Sequence, residues 1–287
     1  MCTLLSAIYD STGNEESDML RHFCGVTKLQ LRAALLRRMS AFPVYSKTRQ
    51  QELIEGYDEA LLEIKRVSSE HGRDNVSCIA ISKLKPSSDI MALYDHGVRE
   101  FGENYVQELE KKSKELPADI KWHFVGGLQS GKCKDLGKDV ANLYSVDSID
   151  SLKKCKKLQA AREAAKGEVI NLYLQINTSN EEQKSGYRID KPEEIEDTVE
   201  YLLDNDQSGC LRLAGLMCIG ALTESLSSEE NSDFKELAKL KSRLDEKYKL
   251  NLELSMGMSN DFREAIKQGS TSVRIGTSIF GARPLRH

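Results

Sequence analysis

Three groups of residues in this chain have the types and spacing to do chemistry. The first lies in "VSCIAISKLKP", residues 76 to 86, where a β-type alternation puts Ile79, Ile81 and Lys83 on one face. If that face points into a barrel, Lys83 reaches the mouth from an apolar surround. Desolvation there disfavours the ammonium and frees an amine able to form a Schiff base. Lys85, just ahead of Pro86, has left the strand and reads as the solvated member of the pair. A strand-end lysine is more commonly a plain surface charge, so this segment alone does not settle its role.

The second group is "WHFVGGLQSGKCKDL", residues 122 to 136, where Gly126, Gly131 and Lys132 stand at the G-x-x-x-x-G-K spacing of a phosphate-cradling loop. A working loop of that kind needs Ser or Thr after the lysine to ligate magnesium. Here Cys133 holds that place, and a thiol is a poor magnesium ligand. Asp147, the carboxylate that would have to complete the site, follows the unremarkable stretch "LYSV". The reading is therefore a turn at the rim of a barrel, with Lys132 either solvated or a positive charge near the site.

The third group closes the chain. Ser259 stands at the expected N-cap of a helix, and Gly276 with Thr277 follows the last strand, so backbone N–H groups and hydroxyls can meet an anion. A carbonyl-reactive lysine on a first strand and a phosphate cradle after the seventh and eighth describe a site for pyridoxal 5'-phosphate (PLP).

The elements that must position these groups are readable from residue 50 onward. Leu53, Ile54, Tyr57, Leu61, Ile64 and Val67 recur at helical spacing and predict an amphipathic helix ending near "HGRD". Eight short apolar runs follow, at 76–82, 98–102, 121–126, 142–146, 169–177, 211–219, 252–257 and 272–276, with helical segments between most of them. One such segment places Phe234, Leu237, Leu240, Leu244 and Tyr248 on a single face. Eight strands alternating with helices predict a single closed (β/α)8 TIM-type barrel with an N-terminal helix, and an open doubly wound sheet is the alternative. No linker divides this part, and "TESLSSEENS" (223–232) reads as a polar barrel loop.

Composition narrows the functional classes. A net charge of -4 without a dense Lys/Arg tract argues against nucleic acid as the main partner, and no apolar run is long enough to span a bilayer. The seven cysteines are scattered and never form a C-x-x-C pair, which speaks against a disulfide framework or structural zinc and for a reducing compartment. Residues 19 to 50 lack Asp and Glu but hold Arg21, Lys28, Arg32, Arg37, Arg38, Lys47 and Arg49, the composition of a mitochondrial transit peptide. Asp10, Glu15, Glu16 and Asp18 precede them and are wrong for one. A start at Met19 would expose the basic segment and a start at Met39 would remove it. The expectation is a disordered or targeting-like tail over 1–45, a folded domain over 46–287, and a cytoplasmic protein with a mitochondrial fraction set by the start site.

The segments "AISKLKP", "FGENYVQE", "WHFVGGLQSGK", "NTSNEEQKSG", "GLM", "LSMGMSND" and "SVRIGTSIFGAR" run in order from about residue 76 to 283 and resemble the signature segments of the pyridoxal phosphate homeostasis (YggS/PROSC) family. That resemblance implies a barrel similar to the N-terminal domain of alanine racemase, with PLP on Lys83. It further implies that Ser259, Gly276 and Thr277 hold the phosphate, that Arg274 faces the pyridine nitrogen, and that Asn104 lines the cofactor. A cationic Arg there would leave the nitrogen unprotonated and weaken the ring as an electron sink, which suits a carrier. The family usually has Asn where this chain has Gly131, so the phosphate-loop spacing arises from one substitution.

Two functions compete: a binding protein in intracellular vitamin B6 homeostasis that holds PLP and passes it to apo-forms of PLP enzymes, and a PLP-dependent amino-acid racemase. Two-base racemization needs a second proton carrier on the opposite ring face, which alanine racemases draw from a C-terminal β domain; only four residues follow Arg283. Among the strand-end residues, His123 is expected to be packed within its strand, and Tyr105 and Cys218 are weaker candidates. The expectation is a PLP-binding protein without efficient catalysis, without a metal, and monomeric or weakly dimeric.

Overall fold

The computed structural model describes residues 42–73, 75–179, 181, 183–204, 209–221 and 230–282. The expected tail over 1–45 therefore lies almost wholly outside the described residues, as do most of the polar loop at 223–232 and Cys2 and Cys24. From Pro43 onward the chain forms one compact unit.

That unit opens with helix α1 (Lys47–Glu70), whose N-cap Ser46 accepts the Arg49 N–H through its hydroxyl. Leu53, Ala60, Ile64 and Val67 form its buried stripe. The barrel then builds as β1 (Ser77–Ile81), α2 (Ser87–Asp95), β2 (Glu100–Glu103), α3 (Val106–Glu115), β3 (Lys121–Phe124), α4 (Cys133–Asp139), β4 (Leu143–Ile149), α5 (Leu152–Ala165) and β5 (Ile170–Asn177). It continues through β6 (Tyr187–Arg188), α6 (Pro192–Asp204), β7 (Leu211–Cys218), α7 (Ser232–Tyr248), β8 (Glu253–Met258), α8 (Phe262–Lys267), β9 (Ser272–Ile275) and α9 (Thr277–Phe280).

The sheet runs β4-β3-β2-β1-β9-β8-β7-β5, and a β4–β5 pairing closes it, so eight parallel strands form a barrel with helices between them. The open-sheet alternative is thereby excluded. All eight apolar runs predicted as strands are barrel strands. The two-residue β6 pairs with the end of β5 outside the ring.

Two hydrophobic layers hold the ring. Outward side chains such as Phe101 and Trp122, neighbours with ring centroids 6.1 Å apart, are sealed under the helices. The α7 face of Phe234, Leu237, Leu240 and Leu244 is buried as its spacing predicts. The interior is more polar. Ser255 Oγ on β8 donates to Asp147 Oδ2 on β4 at 3.0 Å, a contact through the interior between strands that are three places apart in the ring.

Candidate functional site

In a parallel barrel the side chains beyond the C-terminal strand ends converge on one mouth. The strand order places β2, β1, β9 and β8 side by side. The predicted site residues on these four neighbours, Asn104, Lys83, Arg274 with Gly276 and Thr277, and Ser259, therefore share one arc of that mouth.

Lys83 is half-buried and lies two residues beyond the end of β1, in a turn instead of in the strand. Ile79 pairs in parallel register with Arg274 of β9 and shares its inward face, and Ile81 continues that face. The predicted alternation is thus correct up to Ile81, and the turn takes over there. Leu84 next to Lys83 has φ 61, a left-handed conformation that a branched residue rarely adopts.

Lys85 departs from expectation. It is half-buried, and its ammonium donates to the carbonyl oxygens of Phe280 (3.0 Å) and Ala282 (2.7 Å). It therefore fastens the C-terminal end of α9. Arg49 of α1 adds a bond to the same Phe280 oxygen at 3.0 Å while pairing with Asp89 at 2.7 Å.

Ser259 also differs from its predicted position. The residue at the N-cap of α8 is Asp261, whose carboxylate accepts the Met258 N–H at 2.6 Å, and Ser259 sits half-exposed in the turn before it. Gly276 is the N-cap of α9, and Thr277, its first residue, is exposed. The leading N–H groups of such a turn have no partner within the helix.

Arg274 is buried and already committed to protein oxygens. It donates to Ser255 O (2.7 Å), Ser255 Oγ (2.8 Å) and Cys218 O (2.8 Å). Ser255 links it to Asp147, which also accepts from Ser145 Oγ at 2.5 Å, and Ser145 meets His123 Nδ1 at 2.8 Å. A continuous polar chain thus crosses the interior from Arg274 to His123. Burial pushes the Asp147 carboxyl up, with the serine bonds and the Arg274 charge opposing it, and burial pulls Arg274 down, with Asp147 opposing.

The phosphate-loop spacing has a structural explanation unrelated to nucleotides. A Cβ on Gly126 would stand 2.0 Å from the backbone oxygen of Asn104, so this glycine permits the close approach of the β2 and β3 loops. Lys132 precedes α4 and pairs with Asp135 at 2.9 Å, while Cys133 is buried. Asp147 lies in the barrel interior and completes no magnesium site.

Two of the racemase candidates fare poorly as bases. Burial holds His123 down at about 3 and lifts the Cys218 thiol to about 12. Tyr105 is 41% exposed on the rim. Among the described residues no group of three or more His, Cys, Asp or Glu could hold a metal ion, and no helix is long and apolar enough to cross a membrane.

PLP needs an amine, an anion cradle and polar partners for its ring, and the arc around Lys83 meets that list. The amide oxygen Oδ1 of Asn104, at the end of β2, is buried with no protein partner, which fits a group that brings it a hydrogen-bond donor.

The closed parallel barrel is of the alanine racemase N-terminal-domain class, as the family match shows. The family model described as "Alanine racemase, N-terminal domain" matches residues 63–284. The pyridoxal phosphate homeostasis protein of Schizosaccharomyces pombe is 46% identical over 216 residues, covering 75% of this chain and 87% of that protein. The Homo sapiens protein of the same name is 41% identical over 214 residues, covering 71% and 76%. This chain belongs to the pyridoxal phosphate homeostasis protein family.

Among solved structures, PipY of Synechococcus elongatus with PLP bound superposes with a TM-score of 0.59 at 31% identity, covering 76% of this chain and 99% of that one. The alanine racemase of Streptomyces coelicolor, at 16% identity, a TM-score of 0.61 and coverage of 82% and 59%, shares the fold.

Sequence reasoning missed three charged residues beside Lys83. Lys112 of α3 is buried between Glu103 and Glu108 and donates to the backbone oxygen of Ser82 at 2.8 Å. The available signal was Val106, Leu109 and Lys112 at three-residue steps on the buried face of α3, with Glu108 four residues ahead of Lys112.

Proposed function

We propose that this protein binds PLP at the barrel mouth through an imine bond between Lys83 Nζ and the cofactor's aldehyde carbon, and acts in intracellular PLP homeostasis. The observation that carries the reading is the contiguity of the β2, β1, β9 and β8 ends, which brings an amine, a short helix start and a buried unpartnered amide to one arc. In this reading α9 and Ser259 receive the phosphate, Arg274 faces the ring nitrogen, and Asn104 satisfies its amide against the cofactor. The PLP-bound PipY structure and the names of the curated relatives support it.

When bound, PLP supplies an aldehyde for amines and a ring that can withdraw electrons. This chain's residues are arranged to hold it more than to use it. Arg274 is an unfavourable proton source for a ring nitrogen, and the neutral, packed His123 and the high-pKa Cys218 are unsuited to taking up an α-proton near neutral pH. The racemase alternative is therefore the weaker reading.

The protein is further proposed to exchange PLP with apo-forms of PLP enzymes, as a monomer or weak dimer. The five buried free thiols among the described residues suit a reducing cytoplasm, and a mitochondrial fraction would depend on residues 19–50. A reporter behind that segment that stays wholly cytosolic removes the mitochondrial part.

The test is to titrate apo-protein with PLP by visible absorbance and to assay the loaded protein with L-alanine. One tightly bound equivalent with turnover far below about 1 per second is expected. Racemization at or above that rate, abolished by Lys83→Ala, would establish an enzyme instead.

A further inference from the structure

The residues on either side of Lys83 are held by charged side chains from neighbouring elements. Lys112 Nζ donates to the carbonyl of Ser82 (2.8 Å), to Glu103 Oε1 (2.7 Å) and to Glu108 Oε1 (2.6 Å). Ser82 Oγ donates to the same Glu103 oxygen at 2.6 Å. On the other flank, the Leu84 N–H donates to Glu108 Oε1 at 2.8 Å. Ser82 is also tied to β2 through its N–H on Gly102 O (2.9 Å) and closes a turn by accepting the Lys85 N–H (3.1 Å).

A buried ion cluster is a costly way to pack a helix. The desolvation of Lys112 and Glu103, whose side chains are 5% and 0% exposed, would be avoided by apolar residues of the same size. What apolar residues could not do is grip one carbonyl before Lys83 and one N–H after it. Leu84 adds an independent observation, because its left-handed backbone is costly for any residue but glycine and persists only where its surroundings over-determine it.

We propose that Lys112, Glu103 and Glu108 form a positioning device that fixes the backbone of Ser82 and Leu84 and so sets where the Lys83 amine stands in the mouth. None of the three needs to touch the cofactor. Glu103 immediately precedes Asn104, so the same cluster anchors that residue too. This inference rests on the assignment of PLP to Lys83.

The experiment compares full-length wild type, Glu108→Ala, Leu84→Gly and the double variant, each loaded with PLP. Two quantities are read: the PLP dissociation rate, and the visible circular dichroism of the bound cofactor per unit absorbance, which reports its fixed orientation. Losing a charge-assisted bond to the Leu84 N–H should speed release by about tenfold and reduce the dichroism. Leu84→Gly, which meets no steric penalty at positive φ, should recover part of both in the Glu108→Ala background. A fold-wide effect would lower the melting temperature without that recovery.

Glu108→Gln, which keeps an acceptor oxygen, gives a milder variant should alanine not fold, with release expected about threefold faster. Release and dichroism unchanged in folded variants, or lost without recovery by Leu84→Gly, would overturn the positioning role while leaving Lys83 as the attachment point. A wild type that carries PLP elsewhere would take down both readings.

Discussion

His123 is buried among Ser145, the Tyr144 ring at 5.2 Å and Glu100, whose carboxylate is 4.0 Å from Nε2 and so beyond hydrogen-bonding distance. Burial, with the nearby Lys121 charge, lowers its pKa to about 3, whereas an unfolded histidine titrates near 6.5. Below about 6.5 the unfolded chain therefore takes up a proton that the native state refuses. The contribution to stability is full above that pH and is lost as the pH falls toward about 3, by up to about 1.4 kcal/mol per unit. Urea unfolding at pH 7.5 and 5 should show a steeper loss for wild type than for His123→Asn. Equal slopes would mean that His123 is protonated in the folded protein. His123 was identifiable in the sequence because "KWHFVG" places it inside a strand. Lys112 was harder to single out, since "LEKKSKE" offers three similar lysines and the three-residue step from Val106 and Leu109 marks one of them only once α3 docks against β2 and β3.

At the scale of elements, α9 is fastened at its far end and packed along its side. Lys85 and Arg49 bind its terminal carbonyls, and a Cβ on Gly56 of α1 would stand 2.7 Å from the Ser278 oxygen, so α1 must present a glycine there. If the start of α9 receives the phosphate, Lys85→Met should weaken PLP binding through a misplaced helix, by roughly fivefold for about 1 kcal/mol of lost hydrogen bonding. Fluorescence titration with PLP measures this, and unchanged affinity would show that Lys85 has only a surface role. Gly126→Ala should act on the opposite side of the arc. Its Cβ would force the Asn104 loop to move, costing about 1–3 kcal/mol of stability in thermal unfolding, whereas a neutral substitution would deny the close approach. The eight barrel strands were legible because each is a short apolar run between helical patterns. Strand β6 was not, because two residues in the polar stretch "SGYRID" carry no period, and their pairing is made by the end of β5. Lys85 was misjudged as solvated and Ser259 misplaced at an N-cap for a related reason: the surroundings of a turn residue are decided by another element, α9 for the first and the Asp261 cap of α8 for the second.

The whole molecule from Pro43 onward is a closed ring whose helix α1 joins the structure through Leu53, Ile64 and the Arg49–Asp89 pair. Tyr45 adds hydrogen bonds with Asp95 and Gln50. A chain beginning at Pro43 should therefore fold and bind PLP like the full chain, with a melting temperature within about 2–4 °C of it, the shift expected for about 1 kcal/mol. Insolubility or loss of PLP binding would show that earlier residues are part of the folded unit. The fold class was legible as a count of strands, and closure of the ring follows from the β4–β5 pairing, which no local pattern reports.

Whether the amine just past β1 carries the cofactor is decided by reduction of the PLP-loaded protein with borohydride. Reduction converts an imine into a stable secondary amine, and mass spectrometry of the digest locates it. A single phosphopyridoxyl group on Lys83 is expected, absent from Lys83→Ala, which should also lose the visible absorbance. A label mapping to Lys85, Lys112 or Lys132, or full absorbance retained in Lys83→Ala, would contradict it.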